Sequence, residues 1–287
     1  MHLGMPIWPG NENIISSIEK ASRLGYDYVE IAFDYPWPEE LSCEDVAKVG
    51  TKLKELGLEC AIHGPWRSLS ITHPLEELSE AAINVIKRHI HQVEELNVKY
   101  FNIHLNTSGF NFSDMPNAQP KIVHTAISSM NRLSNLVLSN LVNSSLMLTV
   151  ENLIQVFGIP STFQHIFEKT KGWSFCLDIG HTVLSWIEIK NEKMAELDEP
   201  MEISDWVKKL GNYMKVAHVH NVGIHEGMMR DHVLIDRGIL DCGKILEHIK
   251  RTKCEYILLE QFFADASKRK FEDKDLKRNI EFVKTFF

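Results

Sequence analysis

The chain lacks any apolar run long enough to cross a membrane. A spanning helix needs about 20 consecutive apolar residues, and the 287-residue sequence has no such run. Its first residues, MHLGMPIWPGNEN, show no basic region leading into an apolar stretch, as a secretory leader would. With 44% hydrophobic and 24% charged residues, the composition is that of a globular protein. We therefore expect a cytoplasmic protein with no membrane partner.

Cysteine is scarce, and positive charge is not in excess. The five cysteines are scattered and show no C-x-x-C spacing, which argues against a disulfide framework or a zinc ribbon. The net charge of −8 argues against broad attraction to nucleic-acid backbones, because lysine and arginine supply most of that attraction. This argument does not apply to a small, local nucleic-acid site. Bound divalent cations would also neutralise several of the acidic side chains.

Apolar strands alternate with amphipathic helices along the chain. The patterns predict eight strands, at 3–7, 28–33, 58–62, 99–103, 146–150, 174–178, 214–219 and 256–260. They predict helices at 11–24, 44–56, 76–96, 120–142, 161–170, 202–212, 243–251 and 273–285. Asn11 is the expected N-cap of the first helix, and Gly25 and Gly57 mark two helix ends. Eight such repeats predict an α/β fold, a (β/α)8 TIM barrel that forms a single domain over residues 1–287.

Metal-type ligands follow the ends of six of these strands. They are His63, His104, Glu151, Asp178 with His181, His218 with His220, and Glu260. Because the carboxyl ends of barrel strands meet at one mouth, the pattern predicts a metal-centred active site there. Mixed imidazole and carboxylate ligands without thiolate favour a catalytic Zn, Mn or Co ion over calcium or a structural zinc. We expect one ion and allow up to three. The long irregular stretches 105–119, 182–201 and 221–241 should cover this mouth.

Seven short motifs follow one another in order. They are IHGPW at 62–66, NIHLNTSG at 102–109, TVENL at 149–153, LDIGH at 177–181, HVHN at 218–221, DHVLIDRGILD at 231–241 and LLEQ at 258–261. Together they resemble the xylose isomerase-like TIM barrel superfamily, which contains sugar isomerases and epimerases and also endonuclease IV. The resemblance extends over nearly the whole chain.

The resemblance implies, first, a metal-dependent isomerase or epimerase of a sugar or sugar derivative. By position, the metal quartet of the ketose epimerases falls on Glu151, Asp178, His218 and Glu260, and Glu151 and Glu260 also serve as the catalytic acid and base. Protons would then be transferred through a metal-stabilised enediolate, because a divalent ion that polarises a carbonyl makes the neighbouring carbon acidic. The partner would be a small sugar or sugar phosphate, and the protein could form a homo-oligomer.

Substrate contacts are expected near this quartet. The substrate-binding residues on this interpretation are His181, His63, His104, Trp66, Arg230 and Arg237. His220 is expected to form hydrogen bonds rather than to ligate metal. Lys268, Arg269 and Lys270 could bind a phosphate or form a solvated face, and Trp8 and Phe262 could line the pocket or simply pack.

The same motifs carry a second interpretation, a phosphodiesterase of the endonuclease IV type that acts on DNA containing an abasic site. Its three-ion ligand set would fall on His63, His104, Glu151, Asp178, His181, His218, His232 and Glu260. One further ligand, an Asp two residues before His232, is replaced by Arg230, with Asp231 shifted by one position. A third ion site would therefore be impaired or rebuilt. The acidic YPWPEEL at 35–41 also differs from a loop that contacts phosphates. A third possibility is a metal-binding barrel without activity.

Overall fold

Eight parallel strands close into a barrel in the computed structural model, which describes residues 1–8, 13–67, 69–107, 118–140, 146–191 and 203–287. The barrel strands are β1 His2–Ile7, β2 Tyr28–Ala32, β3 Glu59–His63, β4 Tyr100–His104, β5 Met147–Glu151, β6 Trp173–Asp178, β7 Met214–His218 and, after two strands outside the barrel, β10 Tyr256–Leu258. Strands adjacent in this order pair in parallel, and β10 pairs with β1 to close the ring. The TIM barrel predicted from the sequence is confirmed.

Helices connect the barrel strands on the outside. They are α1 Ile14–Leu24, α2 Trp37–Glu40, α3 Cys43–Leu56, α4 Glu76–Gln92, α5 Gln119–Asn140, α6 Pro160–Lys169, α7 Ile179–Asn191, α8 Ile203–Leu210, α9 Cys242–Ile249 and α10 Asp273–Lys284. Gly25 and Gly57 end α1 and α3 in the left-handed conformation, as expected. The expected cap of α1 is wrong, because Asn13, whose side chain accepts the Ile15 N–H, begins the helix. Asn11 lies outside the described residues.

Two stretches expected to be irregular contain regular structure. Residues 221–241 include an antiparallel hairpin of β8, Asn221–His225, and β9, Met228–Val233, and α7 begins directly after Asp178. The hairpin turn places Glu226 and Gly227 at positive φ angles of 50° and 75°, the two-residue turn that matches the twist of paired strands. Of the stretch 105–119, residues 108–117 lie outside the described residues.

Three tyrosines plug the barrel on the N-terminal side of the polar mouth. Tyr28, Tyr100 and Tyr256 pack edge to face with ring centroids 5.4–6.1 Å apart, and the hydroxyls of Tyr28 and Tyr100 are 3.1 Å apart. A Cβ at Gly4 would fall 2.2 Å from the Tyr28 ring, so only glycine leaves room for that ring. A larger apolar core lies between the strands and the helices. The plug gives the mouth a closed floor.

Within the described residues, no helix combines the length and the apolar character that a membrane crossing requires.

Candidate metal centre and active site

Strand ends bring the predicted ligands to one level of the barrel. His63, His104, Glu151, Asp178 and His218 are the last residues of β3, β4, β5, β6 and β7. The pairing register places His104 beside Glu151 and Asp178 beside His218. Because the strands are parallel and end at the same side of the barrel, residues distant in sequence form one ring of nitrogen and oxygen atoms.

Glu151 lies at the centre of this ring, 1% exposed. Its Oε1 is 3.2 Å from His104 Nε2 and 3.2 Å from His181 Nδ1, and its Oε2 is 3.4 Å from His63 Nε2. The Asn102 side chain donates a hydrogen bond of 2.5 Å to Oε2 and fixes the carboxylate. Both oxygens of Glu151 therefore face imidazoles, the geometry of a carboxylate that can bridge two cations.

His218 joins the two glutamates proposed as acid and base. Its Nδ1 lies 3.3 Å from Glu151 Oε2 and 3.2 Å from Glu260 Oε2, and its Nε2 lies 3.3 Å from Glu30 Oε2. His218 is fully buried, and burial alone would lower its pKa. The charges of Glu151, Glu30 and Glu260 outweigh burial and raise the pKa of His218 well above its usual value.

Glu30 was not anticipated from the sequence. It lies in the middle of β2, is 2% exposed, and forms a compact group with His63 and His218. Burial first, and then the charge of Glu30, raise the pKa of Tyr100 well above 10, so that Tyr100 remains a neutral hydroxyl beside this carboxylate. The sequence feature that could have identified it is a single acidic residue within the otherwise apolar strand YVEIA. Burying a carboxylate without a partner at such a position is energetically unfavourable.

Asp178 is held mainly by His220. The Asp178 oxygens lie 3.0 and 3.2 Å from His220 Nε2, and Oδ1 accepts the His181 N–H at 2.7 Å. The His232 N–H donates to His220 Nδ1 at 2.9 Å. Because Nδ1 is thus an acceptor, Nε2 carries the proton and donates it to Asp178. His220 thus makes a hydrogen bond to Asp178, and its ring also belongs to a candidate ligand group with His232 and Glu260.

A further ligand group contains the displaced aspartate. The ligand atoms of His181, Asp231 and His232 lie within 4.8 Å of one another. Neighbouring residues of a strand normally point to opposite faces, but His232 has a positive φ of 55° and the β8–β9 register shifts between Asn221 and Gly223. The irregular backbone lets Asp231 and His232 both line the cavity. Asp231, although shifted by one position, thus lies within reach of His181 and His232, and whether the third ion site is impaired or rebuilt stays open.

Three of the histidines use Nδ1 for hydrogen bonds to backbone carbonyls. Nδ1 of His63, His181 and His232 donates to the carbonyls of Gly64, Asn152 and Glu260 at 2.9, 3.0 and 3.1 Å. A carbonyl only accepts, so these bonds fix the proton on Nδ1 and leave the Nε2 lone pair free to bind a cation.

Several buried ligand atoms meet without mutual hydrogen bonds. Glu30 Oε2, His104 Nε2, both ring nitrogens of His218 and Glu260 Oε2 have no hydrogen-bond partner among the described residues, although oppositely charged groups lie within about 3.4 Å of most of them. Buried polar atoms are rarely left unsatisfied. Atoms that converge with lone pairs toward shared points suit divalent cations, so the residues present fit a metal centre of mixed nitrogen and oxygen ligands.

His63 and His181 favour the protonated form without metal, whereas burial lowers the pKa of His104 and His232. For His63 and His181, burial lowers the pKa, but hydrogen bonds to Glu151 and nearby carboxylate charges dominate. The pKa of His63 rises to about 9 and that of His181 to about 10. Imidazolium ions thus balance the acidic cluster when no cation does so.

A cavity of about 800 Å³ opens above these groups. Trp8, Trp66 and Phe262 form one wall, with the rings of Trp8 and Phe262 4.0 Å apart. His63, His104, His181 and Trp66, all predicted to bind substrate, line the cavity. Volumes of this order, apolar walls and a few convergent polar groups are typical of small-molecule sites.

The two predicted substrate arginines are placed elsewhere. Arg237 donates to Asp275 of α10 at 2.7 Å, and this long-range ion pair directs its guanidinium to the barrel exterior. Arg230 lies on β9 opposite Gly223 and is not among the residues that line the cavity. Neither arginine is therefore among the residues that line the cavity, and a role for either in positioning the substrate stays a prediction. The cationic side chains at the cavity are instead those of Arg67, Lys268 and Lys270.

The fold and the cluster define a TIM barrel with a polar, metal-type mouth. The profile described as "Xylose isomerase-like TIM barrel" matches residues 18–286, and the chain belongs to this family. The resemblance seen in the motifs is thereby confirmed. The comparison with curated proteins found no match.

Solved structures of similar fold include both sugar epimerases and a nuclease. D-allulose 3-epimerase from Methylomonas sp. in complex with D-allulose is 15% identical, with a TM-score of 0.74 over 100% of this chain and 97% of that one. D-psicose 3-epimerase with D-tagatose from Clostridium cellulolyticum is 12% identical (TM-score 0.70, 100% and 99%). Endonuclease IV from Thermus thermophilus is 18% identical (TM-score 0.62, 100% and 98%). At these identities the likeness concerns the fold alone.

Proposed function

We propose that this protein is a divalent-metal-dependent isomerase or epimerase of a small sugar or sugar derivative. The observation that carries the proposal is the convergence of Glu151 and Glu260 on one nitrogen of His218, at 3.3 and 3.2 Å, within a cavity walled by aromatic rings. Sugar isomerisation and epimerisation need a polarised carbonyl and carboxylates placed to move a carbon-bound proton. This site offers groups for both.

The metal would be held by Glu151, His218 and Glu260, with Asp178 as the fourth ligand proposed. When bound, it would supply a Lewis acid for the substrate carbonyl and its neighbouring hydroxyl. Zn, Mn or Co suit the donor set.

Side chains of the protein would carry out proton transfer, position the ligands, bind the substrate and exclude water. A carboxylate oxygen of Glu151 or Glu260 takes the proton from the carbon beside the carbonyl, and the opposite carboxylate returns one. Asn102 holds Glu151 in place, and His220 holds Asp178. His181 and His104, each about one-tenth exposed, are placed to bind hydroxyls. The apolar faces of Trp8, Trp66 and Phe262 keep water from the reacting carbon.

Solvent-deuterium exchange tests proton transfer without knowledge of the natural substrate. The metal-loaded protein is incubated in D2O with a panel of ketoses, and deuterium at carbon is measured by NMR, with metal content determined by elemental analysis. The proposal expects exchange with at least one ketose. Because general acid–base groups contribute about 10²–10⁴-fold, Glu151→Gln should lower exchange by at least a hundredfold. Glu247→Gln, an exposed acid on α9, is the matched control.

A phosphodiesterase of the endonuclease IV type is the second candidate. It is favoured by the additional groups His63, His104, Glu151 and His181, Asp231, His232, since clustered ions activate a hydroxide and stabilise a leaving oxygen. Nicking of duplex DNA at an abasic site, with two or three ions per chain, would replace the isomerase proposal. An absence of deuterium exchange and of nicking in the loaded protein would leave the metal-binding barrel without activity.

A further inference from the structure

The outer cavity wall carries positive charge, in contrast to the acidic floor. Glu30 and Glu151 are buried at the bottom, whereas Lys268 and Lys270 are exposed at the rim and line the same cavity. Arg67, half exposed, lines it as well. A substrate that fills the cavity therefore contacts metal-binding groups at one end and ammonium groups at the other.

The rim lysines belong to the loop that follows the eighth barrel strand. Asp265 organises this loop, because its carboxylate accepts from the Ser267 N–H at 3.0 Å and from Arg269 Nε at 3.0 Å. Arg269 is thus neutralised by Asp265. Within the part of the chain that the structure describes, neither Lys268 nor Lys270 enters an ion pair.

The loop is also fixed against the β8–β9 hairpin. A Cβ at Gly223 would fall 2.8 Å from that of buried Ala266, so the glycine permits this close approach. Lys268 adopts a positive φ of 63°, and its ammonium lies 5.6 Å from the centre of the Phe263 ring. The lysines thus stand on a packed loop rather than on a free tail.

Arg67 completes the rim from the other side. Its guanidinium contacts the buried Asp34 and lies 4.4 Å above the Trp66 ring. One N–H group is used by Asp34, and the fork leaves further donors for a ligand. The stacking and the ion pair together fix the position of the guanidinium at the cavity.

We propose that this rim binds a phosphate group of the substrate, so that the substrate is a phosphorylated sugar rather than a free one. Two ammonium groups without ion-pair partners suit a dianionic phosphate, and loops after the last barrel strands often form phosphate sites. The proposal rests on the proposed function for the chemistry at the other end of the cavity, but the rim itself is testable alone.

The first measurement concerns binding and needs no turnover. Glycerol 3-phosphate and glycerol are titrated into the metal-loaded protein by calorimetry, with the wild type, the double variant Lys268→Ala/Lys270→Ala and the matched control Lys274→Ala/Lys277→Ala on α10. Any binding of the phosphate to the metal ions is the same in the wild type and in both variants, so it does not affect the comparison. We expect the rim variant to bind glycerol 3-phosphate at least tenfold more weakly, because a hydrogen bond to a charged group contributes about 1.5–3 kcal/mol. Equal affinity in all three proteins overturns the proposal.

The second measurement separates the rim from the reaction. Deuterium exchange is compared for fructose 6-phosphate and fructose. The rim variant should raise KM for the phosphorylated sugar tenfold or more and leave kcat within about twofold. Equal kcat/KM of the wild type for the two sugars overturns the phosphate proposal while the isomerase proposal stands. Exchange with neither sugar, together with rim-dependent binding of glycerol 3-phosphate, supports the phosphate site and counts against the isomerase.

Discussion

Replacing Glu30 by glutamine tests whether the barrel interior positions a metal ligand. Glu30 Oε2 lies 3.3 Å from His218 Nε2, while His218 Nδ1 faces Glu151 and Glu260. The negative charge of Glu30 favours a proton on the nearby Nε2, and a proton there leaves the Nδ1 lone pair free for a cation. A carboxylate that accepts from a ligating imidazole fixes its tautomer and raises its basicity.

The expected loss of metal affinity in Glu30→Gln follows from the contact between Glu30 and His218. Loss of such an outer partner typically weakens metal binding about 10–100-fold, which corresponds to about 1.4–2.7 kcal/mol. Glutamine keeps the size of the side chain but accepts a weaker hydrogen bond, and its amide can instead face Nε2 and favour a proton on Nδ1. Because Glu30 is 2% exposed, at the bottom of the cavity, bulk water does not readily take its place. We therefore expect the upper half of the range.

The assay is a competition titration of Zn²⁺ or Co²⁺ against a chromophoric chelator. Wild type, Glu30→Gln and the exposed control Glu247→Gln are compared, and urea unfolding of the metal-free proteins is measured in parallel. Because Glu30 helps to balance the buried His218 imidazolium in the metal-free protein, Glu30→Gln should lower metal-free stability, and the urea series measures that loss separately from the change in metal affinity. A dissociation constant within twofold of wild type for Glu30→Gln would refute the positioning role.

Two further predictions concern protons and the loop before α9. Metal binding should release protons at pH 7, because the proposed ligand His218 has a pKa raised well above its usual value and must bind as a neutral imidazole. A bound cation also favours the neutral forms of the neighbouring His63 and His181, whose pKa values without metal are about 9 and 10. The apparent affinity should therefore rise with pH up to about 9–10, and calorimetry in two buffers of different ionisation enthalpy counts the protons. The same raised values mean that metal-free protein loses stability as pH rises through 9–10. Asn221→Ala should lower the free energy of unfolding by about 1–3 kcal/mol. The reason is that the buried Asn221 side chain donates to the Ile235 carbonyl at 2.8 Å and accepts the Leu240 N–H at 2.9 Å. An unchanged midpoint of urea unfolding would contradict this prediction.

The site residues at the ends of strands could be predicted from the sequence, whereas Glu30, in the middle of β2, could not. His104 and Glu151 follow apolar runs, and a polar residue at that point is visible in the sequence because parallel strands present their carboxyl ends together. Glu30 is flanked by Val29 and Ile31 within β2. Nothing in the local pattern says that its face meets His218, because that contact depends on closure of the whole barrel.

Elements outside the barrel depend on contacts that short sequence windows do not contain. The β8–β9 hairpin turns at Glu226 and Gly227, and only the glycine is a usual signal for positive φ. Arg237 forms a hydrogen bond with Asp275, 38 residues away in sequence. Its closeness in sequence to the motif around His232 therefore does not bring its side chain to the cavity. Asp231 reaches the cavity only because His232 adopts an unusual backbone conformation.

The hairpin has a consequence for how many ions such a scaffold can carry. Asp231 and His232 sit on an appendage that contributes no strand to the ring, whereas the ligands around Glu151 are built into the ring itself. The number of candidate ligand groups is therefore a modular property here, because a change in this short hairpin alters the group that contains Asp231 and His232 without changing the strands of the barrel. A single architecture can in this way support chemistries that differ in how many cations they require.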